Sequence, residues 1–410
     1  MRLVIHDYSG HPFQLQLSRS LAHRGHQVMH QFCSSYVTGK GALTRHDTDP
    51  ETFSVEDFAM GEEFARYSPA KRISQELRFG RRLAKRTVAI APDVAVMCNI
   101  PLLAHSVAAR RVKAARVPMV FWHQDVYSGA IAAAAIDKFG VAGRPVGRLA
   151  DRLERRIARA SDAVVPISPV FEPVLRRWGV SQDRITTIPN WGALDEITVR
   201  PRDNNWARLH GLADVPVVLY SGTLGLKHDP SVLLDIADAL EGDQSGARMV
   251  VVSQGRGRDW LEERQRERRR SSLLLLDFQD YADLPDVLGS ADLLLAVLEK
   301  DASQFSVPSK VLSYLCAGRP ILGIMPADNG AAETIQHSGA GLVVDPSRQA
   351  DVVSAVRALL ADRDRRLQAS RAARTYAEQA FPVDVITDRF EHVLERVNIG
   401  QSTAGRSRRA

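Results

Sequence analysis

The chain has 410 residues, 45% apolar and 25% charged, with a net charge of +6. That is too long for one ordinary core, so two domains are expected. The composition is that of a globular protein, and no apolar run approaches the ~18 residues of a membrane span. Three distant cysteines, Cys33, Cys98 and Cys316, frame neither disulfides nor a zinc site and point to a reducing, cytoplasmic compartment.

The chain opens with Met1-Arg-Leu-Val-Ile-His-Asp7, which turns polar too soon for a signal peptide and reads as a first buried strand. Short apolar runs then alternate with helical patterns, the signature of βαβ units and parallel sheets. In the first half the expected strands are Leu3–Ile5, Gln27–Gln31, Val94–Met97, Met119–Trp122 and Ala163–Ile167, with a helix over Phe13–Arg24 stopped by Gly25. Residues Thr38–Gly80 show no clear period and read as a long loop with one or two helices. Pro, Asn, Gly and Asp cluster over Pro189–Asn205 and mark a domain break.

Beyond the break the expected strands are Val217–Tyr220, Met249–Val252, Leu273–Leu276, Leu293–Val297, Pro320–Ile324 and Gly341–Val344. Helices are expected over Ser231–Leu240, Asp259–Arg268, Leu284–Leu288, Ser309–Ala317 and Asp351–Ala361. The fold class is therefore α/β, with two doubly wound Rossmann-like domains, 1–195 and 205–382, facing across a cleft. A C-terminal helix, 383–398, is expected to pack back on the first domain, and 399–410 to form a disordered tail. Ligands of such sheets bind beyond the carboxyl ends of the strands, so functional residues should follow strands in both halves.

After the first strand, His6-Asp-Tyr-Ser-Gly-His-Pro12 is either an ordinary turn or a ligand-facing one in which Gly10 lets the backbone approach closely. It lacks the Gly-rich dinucleotide fingerprint, so no nicotinamide cofactor is expected. After the fourth strand, His123 and Asp125 can bond a substrate hydroxyl or act in acid–base chemistry; the alternative for His123 is a structural loop histidine. In the second half, Gly222, Thr223 and Gly225 leave room for an anion and Lys227 supplies charge. Gln254, beside a lone Gly-x-Gly, and Tyr281 follow the next strands; each is a donor-site candidate or plain loop.

The stretch Gln304–Pro320 is the richest. Pro308 suits a helix start, Ser306 or Ser309 can cap it, Lys310 adds a cation, and Gly318 and Pro320 end the helix. Val307, Pro308, Ser309 and Lys310 thus form a seat for a phosphate-bearing ligand, with Ser313 one turn on.

The positive charge concentrates at Arg144–Arg159, Arg264–Arg270 and the tail, without interleaved aromatics, so nucleic acid is not an expected partner. On a helix, Arg148, Arg152, Arg155 and Arg159 share one face, and Val146, Leu149, Leu153 and Ile157 share another, expected to pack on the core. The arginine face is either simply solvated or a contact with anionic membrane.

Five segments, Trp122-His-Gln-Asp125, Ile188-Pro-Asn190, Tyr220-Ser-Gly-Thr-Leu-Gly-Leu-Lys227, Val307-Pro-Ser-Lys310 and Tyr314-Leu-Cys-Ala-Gly-Arg-Pro320, resemble in kind and order the retaining family-four glycosyltransferases of GT-B fold, in particular bacterial enzymes of exopolysaccharide, capsule and O-antigen assembly. The resemblance implies a nucleotide-diphosphate sugar donor on the second domain, Lys227 stabilising the departing diphosphate, His123 near the donor sugar, and a glycan or lipid-linked acceptor on the first domain at the inner face of the cell membrane. Many members carry two Glu residues eight positions apart in the stretch that corresponds to Gln304–Pro320; this chain has Phe305 and Ser313 there, a departure partly shared by a Pro-Ser-Lys subgroup. The usual Arg before the Lys is also replaced, by Ser221-Gly-Thr223.

Chemically, the two lysines can offset the charge of a departing diphosphate without a proton transfer, so no metal and no cofactor are expected. Two other functions share this fold: a nucleotide-sugar 2-epimerase, which would need His123, Asp125 or Asp7 as acid and base, and a non-catalytic nucleotide-binding member.

Overall fold

The computed structural model describes residues 1–35, 41, 43–61, 68–224, 229–243, 245–298 and 309–406. The chain divides into two compact units, Met1–Pro189 with Val383–Ala410, and Asn190–Pro382.

The first unit is built on six parallel strands: β1 (Arg2–Asp7), β2 (Gln27–Phe32), β3 (Phe53–Asp57), β4 (Val94–Cys98), β5 (Met119–His123) and β6 (Ala163–Pro166), in the order β3-β2-β1-β4-β5-β6. The central strands β4 and β5 are buried at every position because helices cover both faces, which is why they read as unbroken apolar runs rather than alternating ones. The edge strand β3 lies inside the stretch expected to be loop. Only its first residue, Phe53, is fully buried, so the segment carries little of the apolar signal that marks the interior strands. The helix Pro69–Ile90 follows it.

The C-terminal helix, Val383–Arg406, packs on this unit. Phe390 meets Trp122 with ring centroids 4.6 Å apart, Arg24 pairs with Glu391 at 2.8 Å, and Thr387 bonds Ser20 at 2.9 Å. The helix runs past residue 399, where the sequence suggests a disordered tail. No Pro interrupts it, and propagating a helix is much easier than nucleating one.

The second unit repeats the plan with β7 (Val217–Ser221), β8 (Arg248–Val252), β9 (Leu273–Leu276), β10 (Leu293–Val297), β11 (Ile321–Ile324) and β12 (Gly341–Val344), ordered β12-β11-β10-β7-β8-β9, all parallel. Its core joins Val218, Tyr220, Met249, Leu295 and Leu322 from the strands to Leu233, Ile236 and Val356 from the helices. The linker segment after Pro189 belongs here: a Cβ on Gly192 would stand 2.3 Å from the Cys316 sulfur, so only glycine fits. In each unit the strand order reverses between two central strands, β1 and β4 in the first and β7 and β10 in the second. Those are the switch points where doubly wound sheets open a crevice.

Candidate functional site

In the second unit the helix Lys310–Cys316 starts beside the end of β7. Lys310 Nζ donates to Tyr220 Oη and lies 3.8 Å from the centre of the Tyr220 ring, a cation–π contact. Tyr220 Oη in turn donates to the Thr223 carbonyl at 3.0 Å. Lys310 as a residue is half-buried, but its ammonium is removed from water, and this desolvation lowers its pKa to about 7. Tyr314, one turn into the same helix, is buried; its hydroxyl accepts the Ser221 N–H at 3.1 Å and faces the carbonyls of Ser221 (3.1 Å) and Leu295 (3.2 Å). It locks the end of β7 to β10 and so fixes where Lys310 can stand.

Gly222 completes the seat. Its φ of 141° disfavours any side chain, and a Cβ there would approach Lys310 Cε and Nζ to 3.3 Å. The loop after β7 interlocks with the loop after β8: Leu224 N–H donates to Ser253 Oγ at 3.1 Å, and Gly257 N–H donates to the Leu224 carbonyl at 3.1 Å. A Cβ on Gly257 would sit 2.7 Å from Leu224 Cβ. The weak Gly-x-Gly signal at 255–257 is therefore a packing device that holds Thr223 and Leu224 in place.

Gly222, Thr223 and Lys310 are thus brought together. Ser313 is half-exposed one turn along the Lys310 helix, and Gln254 is half-exposed directly after Ser253. Tyr281 lies in a turn after the edge strand β9, two strands away from β7. Ser309 occupies the helix N-cap but its hydroxyl makes no capping bond, because its backbone is already helical. Gly225, Lys227, Val307 and Pro308, with Phe305 and Ser306, lie outside the described residues.

In the first unit, His123 ends β5 with its ring fully buried among Phe121, Phe171 and Trp178, at centroid distances of 4.8, 5.5 and 6.0 Å. Its Nε2 is 3.3 Å from Glu154 Oε1. Glu154, also fully buried, accepts the N–H groups of Tyr127 (3.0 Å) and Ser128 (2.8 Å), and so satisfies the start of the helix Tyr127–Phe139 from a neighbouring helix. Asp125 sits half-buried in the loop between them. At the switch point of this sheet, Asp7 Oδ1 accepts from Ser9 N (3.1 Å) and Asn99 Nδ2 (2.9 Å), and Oδ2 from His11 N (2.5 Å). Gly10, at φ 75°, makes that turn possible. The Asp7 carboxylate is thereby committed to holding the loop.

The helix Arg144–Ala160 differs from its expected orientation. Its inward face is Gly147, Ala150, Glu154 and Ile157, while Val146 and Leu149 are exposed. Small residues win the inner face because the helix Tyr127–Phe139 lies so close: a Cβ on Gly147 would come within 2.7 Å of Ala132 Cβ. Glu154 is hidden in the sequence among five neighbouring arginines, although its spacing from Ala150, Ile157 and Ala158 places it on that face. Tyr220 and Tyr314 open two of the segments that carry the family resemblance, but nothing in the sequence assigns them the contacts they make here, and Asn99 carries no signal beyond its place after β4.

Two units, each a parallel, doubly wound six-stranded sheet, make the two-domain α/β architecture of GT-B glycosyltransferases, with a cationic seat at the switch point of the second. A glycosyl transferase 4-like domain matches residues 11–191 and a glycosyl transferases group 1 domain matches residues 204–376. The chain belongs to the family-four glycosyltransferases of GT-B fold. WcaI of Escherichia coli (strain K12), named as a colanic acid biosynthesis glycosyl transferase, is 25% identical over 254 residues; the match takes in 60% of this chain and 60% of WcaI. Sucrose-phosphate synthase from Thermosynechococcus elongatus superposes with a TM-score of 0.74 at 15% identity, over 98% of this chain and 100% of that one. Anabaena HepE in complex with UDP and glucose gives a TM-score of 0.69 at 16% identity, over 97% of this chain and 100% of that one. At such identities the two structures speak to fold alone.

Proposed function

We propose that the protein transfers a hexosyl group from a nucleotide-diphosphate sugar to a glycan or lipid-linked acceptor, with retention of configuration, in cell-surface polysaccharide assembly on the cytoplasmic side of the membrane. The observation that carries this reading is the placement of Lys310 over Tyr220 beside Gly222, a cation with open backbone next to it at the switch point of the second unit. The UDP and glucose bound by HepE, a protein of the same fold, support a donor of this class.

In this reading the sugar C–O bond to the leaving phosphate breaks as the acceptor oxygen forms its new bond on the same face. The acceptor proton passes to an oxygen of the leaving phosphate. Lys310 and Lys227 stabilise the negative charge that develops there, a preorganised electrostatic role that needs neither a metal nor a cofactor. Gly222 and Thr223 receive the diphosphate, and Ser313, Gln254 and Tyr281 are assigned to the rest of the donor. His123, held by Glu154 inside its aromatic cage, positions the loop that presents Asp125 to the acceptor hydroxyl.

The isomerase alternative needs free acid–base groups. Asp7 is occupied by three donors and His123 is fully buried, which speaks against it. A screen of uridine, guanosine and adenosine diphosphate sugars by thermal shift, followed by a transfer assay with the best binder, tests the reading. Stabilisation by one donor class with sugar transfer is expected; stabilisation without turnover would favour the non-catalytic alternative.

A further inference from the structure

The hairpin of helices Tyr127–Phe139 and Arg144–Ala160, joined by the turn Gly140–Gly143, leaves large apolar side chains in water. Val141 is 71% exposed, Phe139 and Leu149 57% each, and Ile136 and Val146 46% each. Five of the thirteen large apolar side chains exposed among the described residues thus fall between residues 136 and 149. The cause is the glycine- and alanine-faced packing described above. A Cβ on Gly143 would come within 2.1 Å of the Ala135 carbonyl oxygen, so the helices press together and turn their bulky residues outward. Such a crest adds nothing to the core, and contiguous exposed apolar surface marks an interaction site.

Arginines flank the crest. Arg144, Arg148, Arg152, Arg156 and Arg159 are exposed and Arg155 is half-buried, and among the described residues none of the six forms an ion pair. Arg144, Arg148, Arg152 and Arg155 line one hollow of about 510 Å³ between the helices. The carboxylate that shares it, Asp151, is engaged by Trp178 Nε1 at 2.8 Å. Charge across the chain points the same way. The first unit holds 32 Lys and Arg against 21 Asp and Glu, net +11, and the second 22 against 27, net −5. In the Arg264–Arg270 run, basic in the sequence, four of the five arginines are ion-paired: Arg264 with Glu267, Arg266 with Glu262, and Arg268 and Arg270 with Asp238.

We propose that this hairpin docks on an anionic phospholipid membrane, with Phe139, Val141 and Leu149 entering the headgroup–acyl boundary and the arginines binding lipid phosphates. An apolar crest beside unpaired guanidinium groups fits the boundary between a charged and an apolar phase. A second copy of the chain fits it poorly, since an isologous contact through the crest would set arginine rows against each other. Nucleic acid would leave the apolar crest in water.

The test uses the full chain, without donor or acceptor, so its outcome is independent of the transfer reading. Co-sedimentation is measured with phosphatidylcholine vesicles with and without phosphatidylglycerol, over a salt series. Binding only to the phosphatidylglycerol vesicles, weakened by salt, is expected. F139S/V141S and R148Q/R152Q should each weaken it by about tenfold or more, while L367S, an exposed apolar change in the second unit, should leave it unchanged. These side chains are exposed, so folding should survive, which circular dichroism checks. Equal binding to neutral vesicles, insensitivity to both double variants, or no vesicle binding together with a dimer that F139S/V141S dissolves in light scattering would overturn the proposal.

Discussion

Lys310 rests its ammonium on the ring and hydroxyl of Tyr220, 3.8 Å from the ring centre, at the point where β7 and β10 part. Tyr314 anchors the same helix to both strands, so the cation is held before any ligand arrives. Preorganisation of this kind is what makes a charge effective against a developing anion.

Removing the charge should therefore show in the chemical step. Lys310→Met is expected to lower kcat for sugar transfer by about 10²–10³-fold, and Lys227→Ala to have a comparable effect. Tyr220→Phe keeps the ring and should cost less, through looser placement of Lys310. Steady-state kinetics on the three variants checks this; wild-type turnover in Lys310→Met would remove the residue from the mechanism.

The same ammonium predicts a pH dependence. Desolvation holds its pKa near 7, so it loses its proton as pH rises through that value. A bound diphosphate favours the charged form, so donor affinity should weaken from pH 6.5 to 8.5 (pH values set about pKa 7) and stay nearly flat in Lys310→Arg, whose charge persists. Isothermal titration at the two ends of that range gives the answer.

Gly222→Ala introduces a side chain at φ 141° and presses on Lys310. A loss of stability of about 1–3 kcal/mol is expected from the backbone conformation, together with weaker donor binding. Urea unfolding and titration with donor separate the two effects.

Much of this arrangement is legible in the amino-acid order itself. Gly222 and Thr223 stand just beyond the end of an apolar run, where polar or glycine residues of doubly wound sheets carry a positional meaning, and Lys310 opens a helix marked in the sequence by Pro308 before it and Gly318 after it. Glu154 is not legible in that way, because a carboxylate among arginines on a helix reads as a partner for its neighbours. Here it turns inward to two N–H groups and His123. The outward turn of Val146 and Leu149 escapes for a related reason: apolar periodicity says which residues could be buried, but helix–helix distance decides which are, and Gly143 and Gly147 set that distance.

Glu154→Ala should be the most damaging single change in the first unit. It leaves a buried histidine and two helix N–H groups without their acceptor, at about 1–3 kcal/mol for each lost partner. Denaturant unfolding would show it, and a midpoint equal to wild type would mean that the carboxylate is dispensable.

Acid should weaken the first unit in a defined window. Burial holds His6, His30 and His105 neutral in the folded state, with pKa values lowered to about 3. The unfolded chain protonates them near pH 6.5. Between those values the unfolded state binds more protons, so stability falls as pH falls, by up to about 1.4 kcal/mol per pH unit for each histidine. Urea midpoints at pH 7 and pH 5 measure the slope, and His105→Phe should lessen it.

The chemistry proposed for the second unit rests on its gripping a diphosphate through the Lys310 seat. A crystal structure of the protein with its best-stabilising nucleoside diphosphate is the decisive experiment. Phosphate oxygens are expected within hydrogen-bond distance of Lys310 Nζ and against the backbone of Gly222 and Thr223. A nucleotide bound elsewhere, with Lys310 still closed on Tyr220 and no phosphate near it, would contradict the proposal.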